Sequence, residues 1–154
     1  MRKFLRYALI ILGLILVILQ FFQPDKNRED TNPEKDMVLA AGVPDELAML
    51  FKESCYDCHS NHTRYPWYSK ISPVSWFLSG HIKDGKEALN FSHWTSLDKV
   101  DQIGLLADIC DEVESGSMPL KSYTIIHRGA KLSEPEANDI CVWTEQQGLR
   151  LLRD

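Results

Sequence analysis

Cys55-Tyr56-Asp57-Cys58-His59 is the stretch on which the reading of this 154-residue chain turns. Two thiols separated by two residues, with an imidazole directly after, match the pattern by which a protein attaches haem c. The thiols add across the two vinyl groups of one porphyrin, and the adjoining imidazole falls beneath the iron as an axial ligand. At this chain's content of 4 Cys and 5 His, chance supplies such a match in roughly three chains of a thousand. Two rival chemistries use similar residues. A thioredoxin-like redox pair opens a helix after a strand, whereas Pro44 to Glu53 here reads helical. A structural zinc site would recruit Cys110 and Cys141 to join Cys55, Cys58 and His59, yet zinc ligands usually arrive as closely spaced pairs and these two lie far apart.

The amino end speaks to the compartment. Arg2, Lys3 and Arg6 precede an apolar run that continues to Phe22 and is broken only by Gln20. A cleaved signal peptide ends in small residues; this run ends in Gln20-Phe21-Phe22-Gln23-Pro24. No Cys follows to carry a lipid. The run from Phe4 to Phe22 is about the length of a hydrocarbon core in helical form, with Arg6 able to reach the headgroups. Basic residues before it hold the N-terminus in the cytoplasm. The expectation is a single-pass signal-anchor helix over residues 1–22 in the cytoplasmic membrane, with the remainder in the periplasm, where haem c is attached.

Residues 23–37 are polar with prolines near both ends, the composition of an exposed linker that lets a domain stand off the membrane. Residues 38–154 are one domain's worth of chain. Four helices are predicted in it. Asp45 to Glu53 leads into the motif; Pro73 to Leu89 and Leu97 to Val113 show apolar residues every three to four positions. Ser133-Glu134-Pro135-Glu136 is a capping box that opens the last helix. Strand-like alternation is absent, so the class is all-α, with long loops. Of the 17 basic and 22 acidic residues, six and five precede Met37, leaving the domain 11 against 17, a formal charge of −6. Nucleic acid is excluded as a partner by that surface; a basic patch on a redox protein is compatible with it.

An iron bound by His59 takes a second axial ligand. Met118 in Gly116-Ser117-Met118-Pro119-Leu120 is the candidate, because a loop between two helices presents a thioether firmly and thioether coordination raises the potential. The alternative for Met118 is a core filler. His81, His93 and His127 are the histidines that offer bis-histidine ligation instead; His62 falls too close to His59 to reach the far face. Tyr65, Trp67, Tyr68, Trp76, Phe77, Phe91 and Trp94 are numerous enough to cover a porphyrin, and equally to build an ordinary core. Arg64 suits a propionate or plain solvent. Cys110 and Cys141 form either a disulfide or two buried thiols.

With these residues in view, the chain resembles the haem-binding domain family of single-haem bacterial c-type cytochromes. The likeness runs over roughly residues 40 to 147 through C-Y-D-C-H-S-N-H-T-R-Y-P-W-Y, P-V-S-W-F-L-S-G-H-I-K-D-G-K-E-A-L-N-F-S-H-W and S-G-S-M-P-L-K-S-Y-T-I-I-H-R-G-A-K-L-S-E-P-E. The resemblance implies a cytochrome c-like helical domain around one covalently attached haem. Cys55 and Cys58 would carry the thioether bonds, with His59 the proximal and Met118 the distal ligand. It implies a carrier of single electrons between redox partner proteins, not an enzyme; a ligand sensor or weak peroxidase with a displaceable sixth ligand is the other function open to such a site. Where the family often has Arg after the glycine of the second helix, this chain has Lys86.

Overall fold

Helix starts follow the caps and prolines that the sequence supplies. The computed structural model describes residues 1–153. In chain order the helices are α1 (Arg2–Leu19), α2 (Met37–Ala40), α3 (Asp45–Ser54), α4 (Tyr56–His59), α5 (Val74–Ala88), α6 (Lys99–Glu114), α7 (Lys121–Thr124) and α8 (Glu134–Arg153). Pro44 precedes α3 and Pro73 precedes α5, where the missing amide proton costs nothing. Asp36 caps α2 by accepting from the Val38 amide at 3.0 Å, and Asp98 caps α6 by accepting from Asp101 at 2.8 Å. The capping box of α8 forms: the Ser133 amide donates to Glu136 Oε2 at 2.7 Å. No strand occurs among the described residues, only one antiparallel bridge between Arg28 and His62. The all-α expectation and the four predicted helices hold within a few residues at each end.

The core lies where α3, α6 and α8 meet the segment around Phe91. Phe51, Phe91, Leu106, Ile140 and Met37 are fully buried there, with Trp94, Ile109, Val113 and Trp143 beside them. Phe51 meets Phe91 and Trp143 edge-on, at ring separations of 5.8 and 5.6 Å. Each such aromatic contributes roughly 1.5–3 kcal/mol through burial, so this cluster is the main support for α3, which leads into the motif, and for its packing on α8. Cys110 and Cys141 are joined in a disulfide that ties α6 to α8. That settles the alternative left open by the sequence and removes both thiols from any zinc site.

The amino-terminal expectations need two corrections. First, α1 ends at Leu19, three residues short of the expected Phe22, and its first turn holds Arg2 and Lys3 with Arg6 one turn on. Among the described residues, no helix is long and apolar enough to cross a membrane. The early stop has a physical cause: the Gln20 side chain is drawn onto Ser72, donating from Nε2 to its carbonyl and accepting from its amide, both at 3.0 Å. Second, residues 23–37 are not a free linker. Asn27 donates to the Ser60 carbonyl and Thr63 Oγ1 at 2.8 and 2.9 Å, and its amide donates to Tyr65 Oη at 2.6 Å. Lys86, only 16 % exposed, reaches across to Glu29 at 2.6 Å and Asn27 at 2.9 Å. A polar sequence lacks apolar residues to bury, but its amides and backbone still find partners on a polar domain surface.

The Cys110–Cys141 bridge closes a loop with a sequence separation of 31. Loop-closure entropy for that span is worth about 3–4 kcal/mol. Replacing both cysteines with Ala is expected to lower the urea midpoint accordingly, and added reductant is expected to lower the parent protein's midpoint to a similar value.

Candidate functional site

A four-residue helix is too short to be stable alone, so the Cys55–His59 turn must be held by its surroundings. Within it the Cys58 and His59 amides both return to the Cys55 carbonyl, at 3.1 and 3.0 Å. Outside it, three contacts fix the turn. One is steric: α5 passes so close that a Cβ on Gly85 would lie 3.0 Å from the Cys58 carbonyl oxygen and 3.2 Å from its Cβ. Glycine there is what lets the helix approach. The second is Leu89 at the end of α5, whose carbonyl lies 3.1 Å from His59 Nδ1. With that nitrogen donating, Nε2 keeps its lone pair for a metal. The third is Asp57, the buried residue between the two thiols.

Asp57 joins three segments. Oδ1 accepts from the Arg64 amide and Nε, at 3.1 and 3.0 Å. Oδ2 accepts from Tyr123 Oη at 2.8 Å, and the Asp57 carbonyl accepts from Thr63 Oγ1 at 2.7 Å. Tyr123 belongs to α7, the first helix after Met118, so this carboxylate links the motif to the loop on the opposite side of the site. Sequence inspection treats Asp57 as a spacer and assigns Arg64 to a propionate or solvent. The structure instead spends Arg64 on Asp57, on Glu53 at 3.2 Å and on the Lys52 carbonyl at 3.0 Å. Only the placement of a carboxylate inside C-x-x-C, a few residues before an Arg, hinted at the pairing.

Two cavities, of about 350 and about 380 Å³, border the turn, and Cys55, His59, Ala88 and Met118 line both. Cys58, Asp84, Gly85 and Tyr123 are among the other residues of the first; Phe91, Ile109, Val113, Asp108 and Glu112 are among those of the second. Met118 reaches them because α6 ends at a left-handed Gly116 with φ of 68°, after which the Met118 amide folds back to the Glu112 carbonyl at 2.9 Å. The motif residues and the expected distal residue thus face common space. Of the three competing histidines only His81 borders a cavity shared with His59. His93 Nε2 lies 3.1 Å from Asn61 Nδ2, and His127 Nε2 lies 2.7 Å from Tyr68 Oη, both occupied elsewhere. His62 is exposed.

The site's chemistry suits a haem. Burial pushes the Cys55 thiol up to about 12, with Cys58 adding to it, and pushes Cys58 up to about 11, with Asp57 adding to it. Both sulfurs therefore stand as protonated thiols in the metal-free protein, as cysteines in apolar surroundings do. Burial also lowers His59 from its ordinary value, against the opposing hydrogen bonds to Leu89 and Gly85, and so favours the neutral imidazole that binds metals. Ser54 Oγ, buried without a hydrogen-bond partner, borders the first cavity and offers a polar contact to a bound group. The expected aromatic coat is mostly elsewhere. Phe91 lines the site, but Trp94 is in the core and Trp67, Trp76 and Phe77 lie on the surface. Their side chains sit on segments whose buried positions are small residues, Ser69, Ser72 and Ser75.

A family model described as a haem-binding domain matches residues 14–146. No curated protein sequence and no solved structure matches the chain. The matched range begins inside α1 and takes in the docked segment 23–37.

Two glycines on α5 should respond in opposite directions to Ala. Gly80 has nothing near a Cβ, so G80A should stabilise by about 0.5–1 kcal/mol through helix propensity. G85A meets the Cys58 backbone and should instead destabilise by about 1–3 kcal/mol; thermal unfolding checks both. Tyr123→Phe leaves one Asp57 oxygen short of a donor and should cost about 1–3 kcal/mol in urea unfolding.

Proposed function

The chain belongs to the haem-binding domain family, and on that premise we propose that it is a monohaem c-type cytochrome, attached to the cytoplasmic membrane by α1 with its domain on the periplasmic side. It carries single electrons between redox partner proteins. One observation carries the reading: Cys55, His59 and Met118 border the same two cavities, approached from the motif on one side and from the loop after α6 on the other.

In this reading Cys55 and Cys58 would hold the porphyrin through thioether bonds, and His59 Nε2 and the Met118 thioether would be the protein's ligands to its iron. Bound haem supplies reversible one-electron chemistry at its iron. The chain's part is to set the potential and to control access. The Leu89 carbonyl orients His59. Asp57, through Tyr123, holds the start of α7 and with it the loop that presents Met118. Phe91, Ile109 and Val113 give one wall apolar surface, while Asp108 and Glu112 border the same cavity; the potential is set between that apolar surface, which raises it, and the nearby carboxylates, which favour ferric iron. No group in the site is asked to move a proton, so the protein acts as a carrier and not as a catalyst.

Attachment to the membrane is supported by α1 itself. None of its residues is buried, and its side chains from Phe4 to Ile18 are exposed and almost wholly apolar. A helix apolar on every face finds no solvent in water. Arg2, Lys3 and Arg6 bring charge only to its beginning, where long side chains reach the headgroups while their stems stay with the lipid.

Protein produced with the haem c maturation machinery should retain its colour after acid-acetone treatment, and the Cys55→Ala, Cys58→Ala double variant should lose it. Ferric protein should show the weak charge-transfer band of thioether ligation. Met118→Ala should abolish that band and lower the midpoint potential. Carbon monoxide binding to the ferrous parent protein would replace electron carriage with ligand sensing or peroxidase chemistry as the function. Colourless protein after export would overturn the haem c reading.

A further inference from the structure

Around the end of α1 lies a surface that the haem site does not use. Phe21 and Phe22 are 83 % and 63 % exposed, and Ile71, Val74, Trp76 and Phe77 are exposed beside them. Hydrogen bonds place these residues together. Ser72 holds Gln20 by its backbone, and Gln23 Nε2 donates to Ser72 Oγ at 2.8 Å. Trp76 Nε1 donates to the Phe22 carbonyl at 2.6 Å. On α5, Val74 and Phe77 are three residues apart, hence neighbours on one helix face. Water-exposed apolar side chains gathered at one place mark a docking surface.

We propose that this surface rests in the interfacial layer of a phospholipid bilayer, clamping the domain against the membrane in a fixed orientation. The inference builds on the attachment by α1 proposed above and adds a second contact to it. Three features select lipid as the occupant. The surface is continuous with α1: Ser72 and Trp76 bond to residues within three positions of Leu19, where the helix ends. If α1 lies in hydrocarbon, those side chains sit at the boundary, the level that aromatic residues favour. Second, the charge is distributed to suit it. The chain has 22 acidic residues, yet none occurs in Met1–Pro24 and none from Cys58 to Lys83, the two segments that build the surface. A domain of net negative charge therefore turns a face free of carboxylates to the place where its apolar helix emerges, avoiding repulsion from anionic headgroups. Third, the indole N–H of Trp76 is already satisfied, so its ring can enter the apolar layer without an unpaired donor.

The orientation has a functional reading. Phe77 packs against His81, ring centroids 4.2 Å apart, and His81 borders the first of the two cavities at the haem site. Resting on lipid through Phe77 brings the α5 wall of that cavity next to the bilayer boundary. A partner embedded in the same membrane then meets the domain from that side, with no search over the orientations of a freely swinging tether.

The test uses the full haem-loaded chain in phosphatidylcholine vesicles, in the ferric form that is stable to the oxygen used; the haem's own relaxation is removed by subtracting the nitrogen-equilibrated baseline. A nitroxide is attached at residue 74, 77 or 149 through V74C, F77C or L149C; the disulfide and the thioether-bonded cysteines do not react. Leu149 is exposed on α8 and serves as the water-facing reference. Power saturation compares collisions with oxygen, which concentrates in lipid, against those with a water-soluble nickel chelate. At positions 74 and 77 oxygen should win several-fold, and at 149 the chelate should win. Vesicle flotation with chelate winning at 74 and 77 would overturn the surface contact while leaving the attachment by α1 intact. Failure of the chain to float with vesicles would instead remove the attachment, and the surface contact with it. Nitroxides at 74 and 77 shielded from both agents, with or without lipid, would show a second copy of the chain on this face and overturn the lipid assignment.

Discussion

The four-residue helix Tyr56–His59 cannot stand without help, and the arrangement of the domain follows from the help it receives. The Cys58 and His59 amides both close on the Cys55 carbonyl. Gly85 presses α5 onto it, Leu89 anchors the imidazole, and Asp57 collects donors from Arg64 and Tyr123. These supports come from three separate stretches of sequence: α5, the loop at Arg64, and α7 with Tyr123. The long-range cost of bringing them together is offset by the Phe51, Phe91 and Trp143 cluster, which ties α3 and α8 to the segment just after α5. Tyr56, stacked on Phe91 at 4.9 Å, joins that cluster to the motif itself. Core and site therefore form as one cooperative unit.

The polar segment 23–37 changes the meaning of the amino end. A linker would separate helix and domain; the contacts of this segment make it a strap across the motif side of the domain. Its hold on Ser60, Thr63 and Tyr65 bears directly on the loop that follows His59. Lys86 suits the strap because a single flexible ammonium reaches Glu29 and Asn27 together, with no planar partner to match. The family match beginning at residue 14 agrees with a unit that includes this strap and the last third of α1.

Much of this was legible beforehand. Helical periodicity, Pro44, Pro73 and the Ser133 capping box located α3, α5, α6 and α8, because those signals are local and physical. The motif named its cofactor, and the glycine-methionine-proline loop drew attention to Met118, which does border the site. What the sequence concealed was pairing at a distance. Gln20 with Ser72, Asn27 with Thr63 and Asp57 with Tyr123 are single polar contacts without any period, and nothing in their neighbourhoods announces the partner. The aromatic residues misled for a related reason. Composition counts Trp67, Trp76 and Phe77 but does not say which way α5 is rotated, and Gly85 and Ile82 took the inward positions.

The bridge between α6 and α8 has a consequence for biosynthesis. The polypeptide carries four thiols of which one pair ends oxidised to each other, while the pair in the motif must reach the maturation machinery reduced if it is to take a porphyrin. A crossed bond between the pairs would trap the molecule. For a chain exported as proposed above, order lowers that hazard: Cys55 and Cys58 precede Cys110 and Cys141, so the earlier pair would be claimed before its competitors emerge. Sorting of sulfur by time of arrival is thus written into the spacing of the cysteines.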